Sequence, residues 1–236
     1  MSFEHSQMDC KTCTKRFTSV FCKVENDSIE QINDEKICTP YKKGQTIFHE
    51  GARPFGIYCV NYGKIKLSKF GDDGKEQILR LVKAGDLLGY RSLLSQDRYN
   101  GSAVALEDSG VCFIPKELFM GILKKDGVLS MEIMKLLSDD LRKAELSITH
   151  LAQKSVRERL AEALLFIKET YGFEEDNQTI NLKLSREELA NLVGTATETV
   201  IRLLSEFKAD KVISLEGKKI KILDLSELLE IANLDD

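Results

Sequence analysis

The chain has 236 residues, of which 42% are hydrophobic and 31% are charged, and its formal net charge at pH 7 is −4. This length allows one large domain or two smaller ones, and the negative charge excludes a protein that attracts nucleic acid over its whole surface. No run approaches the roughly 18 consecutive apolar residues of a membrane span, and the first residues lack the apolar stretch of a signal peptide. We therefore expect a cytoplasmic protein of two domains with no membrane partner.

Three of the six cysteines lie close together near the N-terminus, at Cys10, Cys13 and Cys22. Thiols are kept reduced in the cytoplasm, where clustered cysteines bind a metal more often than they bind each other. Three interpretations stay open from the residues alone: a metal or iron–sulfur site, a disulfide, or small buried residues with no chemical role.

Short strands and glycine turns alternate from Thr39 to about Pro115. Glycines recur between short runs that are rich in apolar and β-branched residues, such as Gly56–Val60 and Ile65–Ser68. Closely spaced strands with turn residues between them predict an antiparallel barrel or sandwich. Cys59 lies within one of these apolar runs and is interpreted as a small core residue.

A long helix is predicted from about Val128 to Gln153, a segment without proline or interior glycine. Apolar residues recur along it at alternating intervals of three and four, which is the a/d seam of a coiled coil. The charges beside the seam leave a narrow stripe that suits a partner helix, so we prefer a parallel homodimer to packing on the chain's own barrel. The seam residues are Met134, Leu137, Leu141, Ala144, Ile148 and Leu151.

A helix-turn-helix is predicted between residues 185 and 207. Ser185 and Glu188 have the spacing of a capping box, which starts a helix, and Gly194 supplies the tight turn that ends it. The box pattern recurs at Thr195 and opens a second helix. In this motif the second helix lies in the DNA major groove with its first turns toward the base edges.

The outward face of the second helix carries side chains that suit base recognition. Arg202 can form two hydrogen bonds with guanine, Glu198 can accept one from cytosine, and Ile201 can contact a thymine methyl group. The alternative is a surface salt bridge between Glu198 and Arg202 on an ordinary helical hairpin. The predicted base-reading residues are Thr197, Glu198, Ile201 and Arg202.

A β-hairpin is predicted from Val212 to Ile222, where alternating residues fold about Glu216 and Gly217. A helix-turn-helix followed by such a hairpin is a winged helix, and its lysines can hold DNA phosphates without reading sequence. From Lys154 onward there are 12 basic and 17 acidic residues, a net charge of −5, so non-specific affinity should be weak and salt-sensitive. The predicted phosphate contacts are Lys208, Lys211, Lys218, Lys219 and Lys221.

The order of these parts resembles the CRP/FNR family of bacterial transcription regulators over nearly the whole chain. The resemblance implies an α+β fold: an N-terminal antiparallel β-roll, which is a cyclic-nucleotide-binding-like jelly roll, then a long dimerisation helix and a C-terminal winged helix-turn-helix. The predicted boundaries are 1–25 for a cysteine-containing arm, 26–125 for the β-roll sensor, 126–153 for the helix and 154–236 for the DNA-binding domain. The motifs that carry the resemblance are Lys43–Phe48, Gly63–Lys66, Ala84–Tyr90, Val111–Pro115, Glu158–Ala161 and Glu198–Leu204.

The resemblance also implies partners: double-stranded promoter DNA with a pseudo-palindromic site, RNA polymerase, and a second copy of the chain as a homodimer. Glu198 and Arg202 match the base-reading pair of the family, whereas Ile201 departs from its best-known members and leaves the preferred half-site open. A catalytic or ligand-binding barrel is the remote alternative. No nucleophile elbow, phosphate-binding loop or paired-histidine helix is present, so we expect that the protein is not an enzyme.

The residues expected to bind cyclic AMP depart from the family pattern. Cyclic-AMP binders place a glutamate after the glycine of the Gly-Asp turn and an Arg-Ser pair downstream, whereas Tyr90 follows Gly89 and a glycine precedes Ser102 here. A phosphate without an arginine loses its strongest contact. Although Arg91 or Arg98 can substitute from the same loop, cyclic AMP is not the expected ligand.

The FNR branch holds an oxygen-labile 4Fe-4S cluster on three N-terminal cysteines and one from the roll. By resemblance, the ligands here are Cys10, Cys13, Cys22 and Cys112, because four thiolates suit such a cluster. The eight residues between Cys13 and Cys22 exceed the spacing usual in that branch. Structural zinc that recruits Cys38, thiol sensing without a metal, and inert cysteines in a regulator with another effector remain alternatives.

Overall fold

The computed structural model describes residues 9–234, so the first eight residues of the predicted arm and the last two of the chain lie outside it. The chain divides into two compact units: residues up to Phe70 with Leu79–Arg142, and Gly71–Ile78 with Lys143 onward. Within the described residues, no helix is both long enough and apolar enough to cross a membrane.

Eight strands form two four-stranded sheets in the β-roll. The strands are β1 Ile37–Tyr41, β2 Thr46–Phe48, β3 Gly56–Tyr62, β4 Lys64–Phe70, β5 Glu76–Lys83, β6 Leu87–Leu88, β7 Ser102–Ala105 and β8 Ser109–Pro115. One sheet has the order β1-β8-β3-β6 and the other has the order β2-β7-β4-β5. Antiparallel pairing joins β8 to both β1 and β3.

The roll buries two apolar clusters, one on each face of the sheet that contains β8. Successive strand residues point to opposite faces, so Val111 joins the cluster inside the roll while Ile114 joins the cluster outside it. The outer cluster also includes Phe21 from the N-terminal segment and Ile29 from the helix at Asn26–Glu35. This region contains a short 3-10 helix at Thr14–Thr18 and the helices α1 Asn26–Glu35, α2 Tyr90–Leu94 and α3 Lys116–Lys125.

The long helix α4 spans Gly127–Gln153, in agreement with the predicted limits. The Asp126 carboxylate begins it by accepting hydrogen bonds from the backbone amides of Val128 and Leu129, each at 3.0 Å. Leu129 and Ile133 bury the first turns of the helix in the outer cluster. Beyond residue 140 almost every side chain of α4 is exposed.

The second unit contains a winged helix-turn-helix, as predicted. Its core contains Leu160, Leu164, Val200, Phe207 and Leu228, all of which are fully buried. The capping box forms as predicted, since the Ser185 hydroxyl accepts from the Glu188 amide at 3.0 Å. The elements are α5 Val156–Tyr171, α6 Arg186–Val193, α7 Thr197–Ala209, β9 Ile213–Glu216, β10 Lys219–Ile222 and α8 Leu225–Ala232.

One local prediction, the second capping box, was wrong. The N-cap of α7 is Ala196, which has no side-chain acceptor, so Thr195 does not cap this helix. The start of α7 therefore lies one residue beyond the position that the box pattern indicated.

Candidate nucleic-acid interface and cysteine site

The turn between α6 and α7 is held by Arg159, which was named above only as part of the Glu158–Ala161 motif. Arg159 on α5 donates hydrogen bonds to the backbone oxygens of Val193 at 3.2 Å and Gly194 at 3.4 Å. Gly194 has φ of 74°, a left-handed conformation that favours glycine. The angle between the two helices of the motif is therefore fixed by a buried core, a glycine and a side-chain clamp.

The predicted division of α7 into two faces is present. Val200, Leu203, Leu204 and Phe207 are buried. Glu198, Ile201 and Arg202 are exposed and Thr197 is half-buried. Ile201 exposes 48% of its surface. The face proposed to read bases is thus open to a ligand.

Arg202 forms an ion pair, but not with the partner that the alternative interpretation named. Its Nη1 donates to Glu206 Oε1 at 2.5 Å, and its side chain is 65% exposed. An exposed i, i+4 pair contributes only about 0.3–0.5 kcal/mol, so moving Arg202 to a base costs little. Arg157 also donates to Glu206, at 3.3 Å, so Glu206 keeps a partner after Arg202 leaves.

The five predicted phosphate-binding lysines differ in their surroundings. Lys219 donates to Glu174 at 2.7 Å, and this hydrogen bond is the main cause that raises the pKa of Lys219. The Nζ atom of Lys221 lies 3.6 Å from Oδ2 of Asp176. Among residues 9–234, no ion pair involves the exposed Lys208, Lys211 or Lys218. These three lysines are thus the better candidates for phosphate contacts.

The start of α6 is joined to the tip of the hairpin. Arg186 donates from Nη2 to the backbone oxygen of Gly217 at 3.1 Å, and burial lowers the pKa of this guanidinium. The contact lies within the DNA-binding unit and sets the hairpin tip beside the first helix of the motif.

The predicted seam on α4 is largely uncovered. Met134, Leu141, Ile148 and Leu151 each expose more than half of their surface, and Ile148 exposes 68%. Leu137 instead packs partly against the outer cluster of the roll. The alternative, in which the apolar residues of α4 pack on the chain's own barrel, therefore holds for Leu137. It does not hold for Leu141, Ile148 and Leu151, which are exposed.

The interior of the roll and the loop that carries Arg98 contain aromatic and polar contacts. Inside the roll, the rings of Phe48 and Tyr99 stack at 3.9 Å between centroids. Arg98 donates to the backbone oxygen of Gly51 at 2.7 Å, so it is already engaged. Arg91 is exposed on α2.

Tyr90, the residue for which the family's cyclic-AMP pattern has a glutamate, contacts strand β5 and helix α4. It is 1% exposed, and its hydroxyl donates to the Asp140 carboxylate on α4. Arg80 donates to the same carboxylate at 3.4 Å. Burial raises the pKa of Tyr90 well above its ordinary value. This network joins the loop after Gly89 to the long helix.

The cysteines are divided between the N-terminal segment and the roll. Cys38 and Cys112 form a disulfide between β1 and β8, and Cys59 lies opposite Cys112 on β3. Cys10 and Cys59 pack against the same apolar cluster. Burial is the main cause that raises the pKa of Cys59 to about 12, with smaller contributions from Cys13 and Cys10.

The four predicted cluster ligands do not fit a metal site while the disulfide is closed. The sulfur of Cys112 is bonded to Cys38, and Cys22 is exposed whereas Cys10 and Cys13 are half-buried. In the described part of the chain, no group of three or more histidine, cysteine, aspartate or glutamate side chains is arranged to hold a metal ion.

A β-roll, a long helix and a winged helix-turn-helix with an open recognition face define a class of DNA-binding transcription regulators. The model of the Cyclic nucleotide-binding domain matches residues 38–126, and that of the Crp-like helix-turn-helix domain matches residues 158–231. The chain belongs to the CRP/FNR family.

Individual relatives agree with this assignment. The Fumarate and nitrate reduction regulatory protein of Vibrio cholerae is 33% identical over 89% of this chain and 83% of that protein. The Anaerobic regulatory protein of Haemophilus influenzae is 31% identical over 88% of this chain and 80% of that protein. The structure of FixK2 from Bradyrhizobium japonicum superposes with a TM-score of 0.76 at 23% identity, over 85% of this chain and 99% of that chain. The chain is therefore a transcription regulator and, as expected, not an enzyme.

Proposed function

We propose that this regulator acts in the cytoplasm as a homodimer, binds pseudo-palindromic promoter DNA, contacts RNA polymerase, and responds to oxygen or redox state through its cysteines. The observation that carries the proposal is the exposed face of α7, where Glu198, Ile201 and Arg202 lie opposite residues that are buried in the core. Side chains in the first turns of a recognition helix are those that meet base edges in the major groove.

Dimerisation is supported by the exposed apolar stripe of α4. Leaving Leu141 and Ile148 in water is unfavourable, since burying such a side chain fully contributes about 1.5–3 kcal/mol. The a/d spacing allows a second copy of the helix to cover the stripe in a coiled coil. A twofold dimer presents two copies of α7, which matches a palindromic site.

DNA recognition then divides between two sets of side chains. Arg202 exchanges Glu206 for a guanine, and Glu198 and Ile201 read the neighbouring positions. Lys208, Lys211 and Lys218 hold phosphates and fix the register of the helix in the groove. Lys219 and Lys221 contribute less until they separate from their carboxylate partners.

Redox sensing is supported by the cysteine content and by the relatives. One relative is named an anaerobic regulatory protein, and another is named for fumarate and nitrate reduction. When Cys112 is reduced, the chain offers four thiolates at Cys10, Cys13, Cys22 and Cys112, which is the number that a 4Fe-4S cluster requires. The proposed ligand set therefore applies to the reduced protein.

The iron content of anaerobically purified protein tests this proposal. We expect brown protein that contains iron and acid-labile sulfide, and we expect Cys22→Ser to lose both. Cys59→Ala is the matched control, since Cys59 lies outside the proposed set, and it should keep its iron. Colourless, iron-free protein would contradict the cluster. Iron that is lost in Cys59→Ala and retained in Cys22→Ser would assign the site to Cys59 instead.

Cyclic AMP is not expected to act as the effector. The stacked rings of Phe48 and Tyr99 lie inside the roll, and Arg98 is bound to a backbone oxygen. Titration calorimetry with millimolar cyclic AMP should give no saturable heat. Micromolar binding with one site per chain would show that the aromatic cluster rearranges to admit a nucleotide.

A further inference from the structure

We propose that Cys38 and Cys112 form a reversible dithiol–disulfide site, and that this site decides whether Cys112 is available to bind a metal. The first part of the proposal stands on the geometry of the two strands alone. The second part rests on the proposed function, in which Cys112 is a cluster ligand.

The two cysteines are held face to face by the sheet. They are directly opposite each other in the β1–β8 ladder, with Cα atoms 4.0 Å apart. The ladder continues on both sides, where Ile37 pairs with Phe113 and Thr39 pairs with Val111. Because the backbone hydrogen bonds of the ladder do not depend on the sulfur atoms, the thiols stay adjacent after reduction. Closing the bond again is then an intramolecular step.

Access to the two sulfurs is unequal. Strand β1 lies at the edge of its sheet, and Cys38 on it is half-buried. Cys112 is on the neighbouring interior strand and is 7% exposed. An external thiolate therefore reaches the sulfur of Cys38 first, and attack there releases Cys112 as the leaving thiolate. The direction of attack frees the cysteine that the proposed cluster needs.

The exchange balances with a low-molecular-weight disulfide such as oxidised glutathione as the oxidant. The Cys38 thiolate attacks one sulfur of that disulfide and expels one glutathione thiolate. The Cys112 thiolate then attacks the Cys38 sulfur of the mixed disulfide and expels the second. Two protein thiols lose two electrons and two protons, and one oxidised glutathione becomes two reduced glutathiones. Reduced glutathione reverses both steps.

Closing the disulfide removes a ligand from the proposed metal site. Iron–sulfur clusters are bound by thiolates, and the sulfur of a closed disulfide is not one. Oxidation of Cys38 and Cys112 thus blocks assembly of the cluster on Cys112 even when Cys10, Cys13 and Cys22 are reduced. Cys38 takes no part in the ligand set itself, so its effect on metal content is indirect.

Mapping the disulfide in the full-length protein tests the first part. The protein is equilibrated in glutathione buffers of increasing oxidised fraction, alkylated, digested and analysed by mass spectrometry. We expect one linked peptide that joins Cys38 to Cys112 in the oxidised buffers and full alkylation of both in the reduced ones. Cys59→Ala should retain the linked peptide, and Cys38→Ser should leave Cys112 alkylated throughout. The proposed disulfide site would be overturned if Cys112 stayed alkylated in the oxidised wild-type protein. It would also be overturned if Cys112 were linked to Cys59.

Iron loading tests the second part. Oxidised and reduced samples of wild type and Cys38→Ser are incubated anaerobically with ferrous iron and sulfide, and iron and linked peptide are measured in the same sample. In wild type, iron per chain should fall in proportion to the linked fraction, whereas Cys38→Ser should load equally in both states. An iron content per chain that does not depend on the linked fraction would overturn the proposal that the disulfide controls metal binding at Cys112. Absence of iron from fully reduced wild type would overturn the cluster, and the peptide map would still decide the disulfide.

Discussion

Replacing Arg202 with alanine is expected to abolish specific DNA binding while the fold stays intact. Each bidentate contact between arginine and guanine contributes about 1–3 kcal/mol of discrimination, and a dimer loses two, so the loss is about 2–6 kcal/mol. This corresponds to a decrease in specific affinity on the order of 30-fold to 10⁴-fold. Arg202 is mostly exposed and alanine favours helix, so the melting temperature should hardly change. Binding is measured by titration with duplexes that the wild-type protein selects.

Lys208→Ala is the matched comparison for Arg202→Ala. It removes an exposed cation from the same helix, and a phosphate contact carries no sequence information. We expect it to weaken binding to all duplexes alike. The slope of the logarithm of the affinity against the logarithm of the salt concentration should become shallower by roughly two per dimer. If Arg202→Ala also weakened all duplexes alike, Arg202 would be a phosphate contact and not a base contact.

Replacing Ile148 with glutamate is expected to convert the proposed dimer into monomers. Ile148 is at position a of the heptad, where it contacts Ile148 of the partner helix in a parallel coiled coil. The variant therefore loses two buried isoleucines and brings two carboxylates together. Loss of the apolar burial alone amounts to about 3–6 kcal/mol per dimer, on the order of 10²-fold to 10⁴-fold in the dissociation constant. Sedimentation equilibrium should change from twice the chain mass to the single-chain mass of 26.7 kDa. Binding to palindromic DNA should weaken accordingly.

The same substitution at Leu146 provides the control for the dimer. Leu146 is also an exposed apolar residue of α4, at 44%, but it lies outside the a/d stripe. Leu146→Glu should therefore remain a dimer. Equal loss of dimer in both variants would indicate a general effect of a new charge on the helix, and a dimer that survives Ile148→Glu would place the interface elsewhere.

The periodic and capped parts of the chain could be predicted from the sequence. The apolar spacing along α4 and the Ser185 box depend on neighbouring residues, and so does the division of α7 into two faces around Val200 and Phe207. The error at Thr195 has a local cause as well, since a Thr-x-x-Glu pattern occurs there without serving as a cap.

The contacts that give the site its chemistry join residues far apart in the chain, and no local pattern reveals them. Cys38 and Cys112 are 74 residues apart and meet only because β1 pairs with β8. Tyr90 could be recognised as a departure from a cyclic-AMP site, but its partner Asp140 lies on another element. The sequence did contain a signal for the disulfide. Side chains alternate between the two faces of a sheet along each strand, so Cys38 on β1 and Cys112 on β8 can lie on the same face.

Selection of bound duplexes from a random pool examines base reading and twofold symmetry in one experiment. Protein reduced under anaerobic conditions is incubated with random duplexes, and the bound fraction is sequenced over several rounds. We expect enrichment of an inverted repeat whose half-sites are about one helical turn, or roughly 10 base pairs, apart. A pool without enrichment, or one with a single unrepeated half-site, would contradict this expectation.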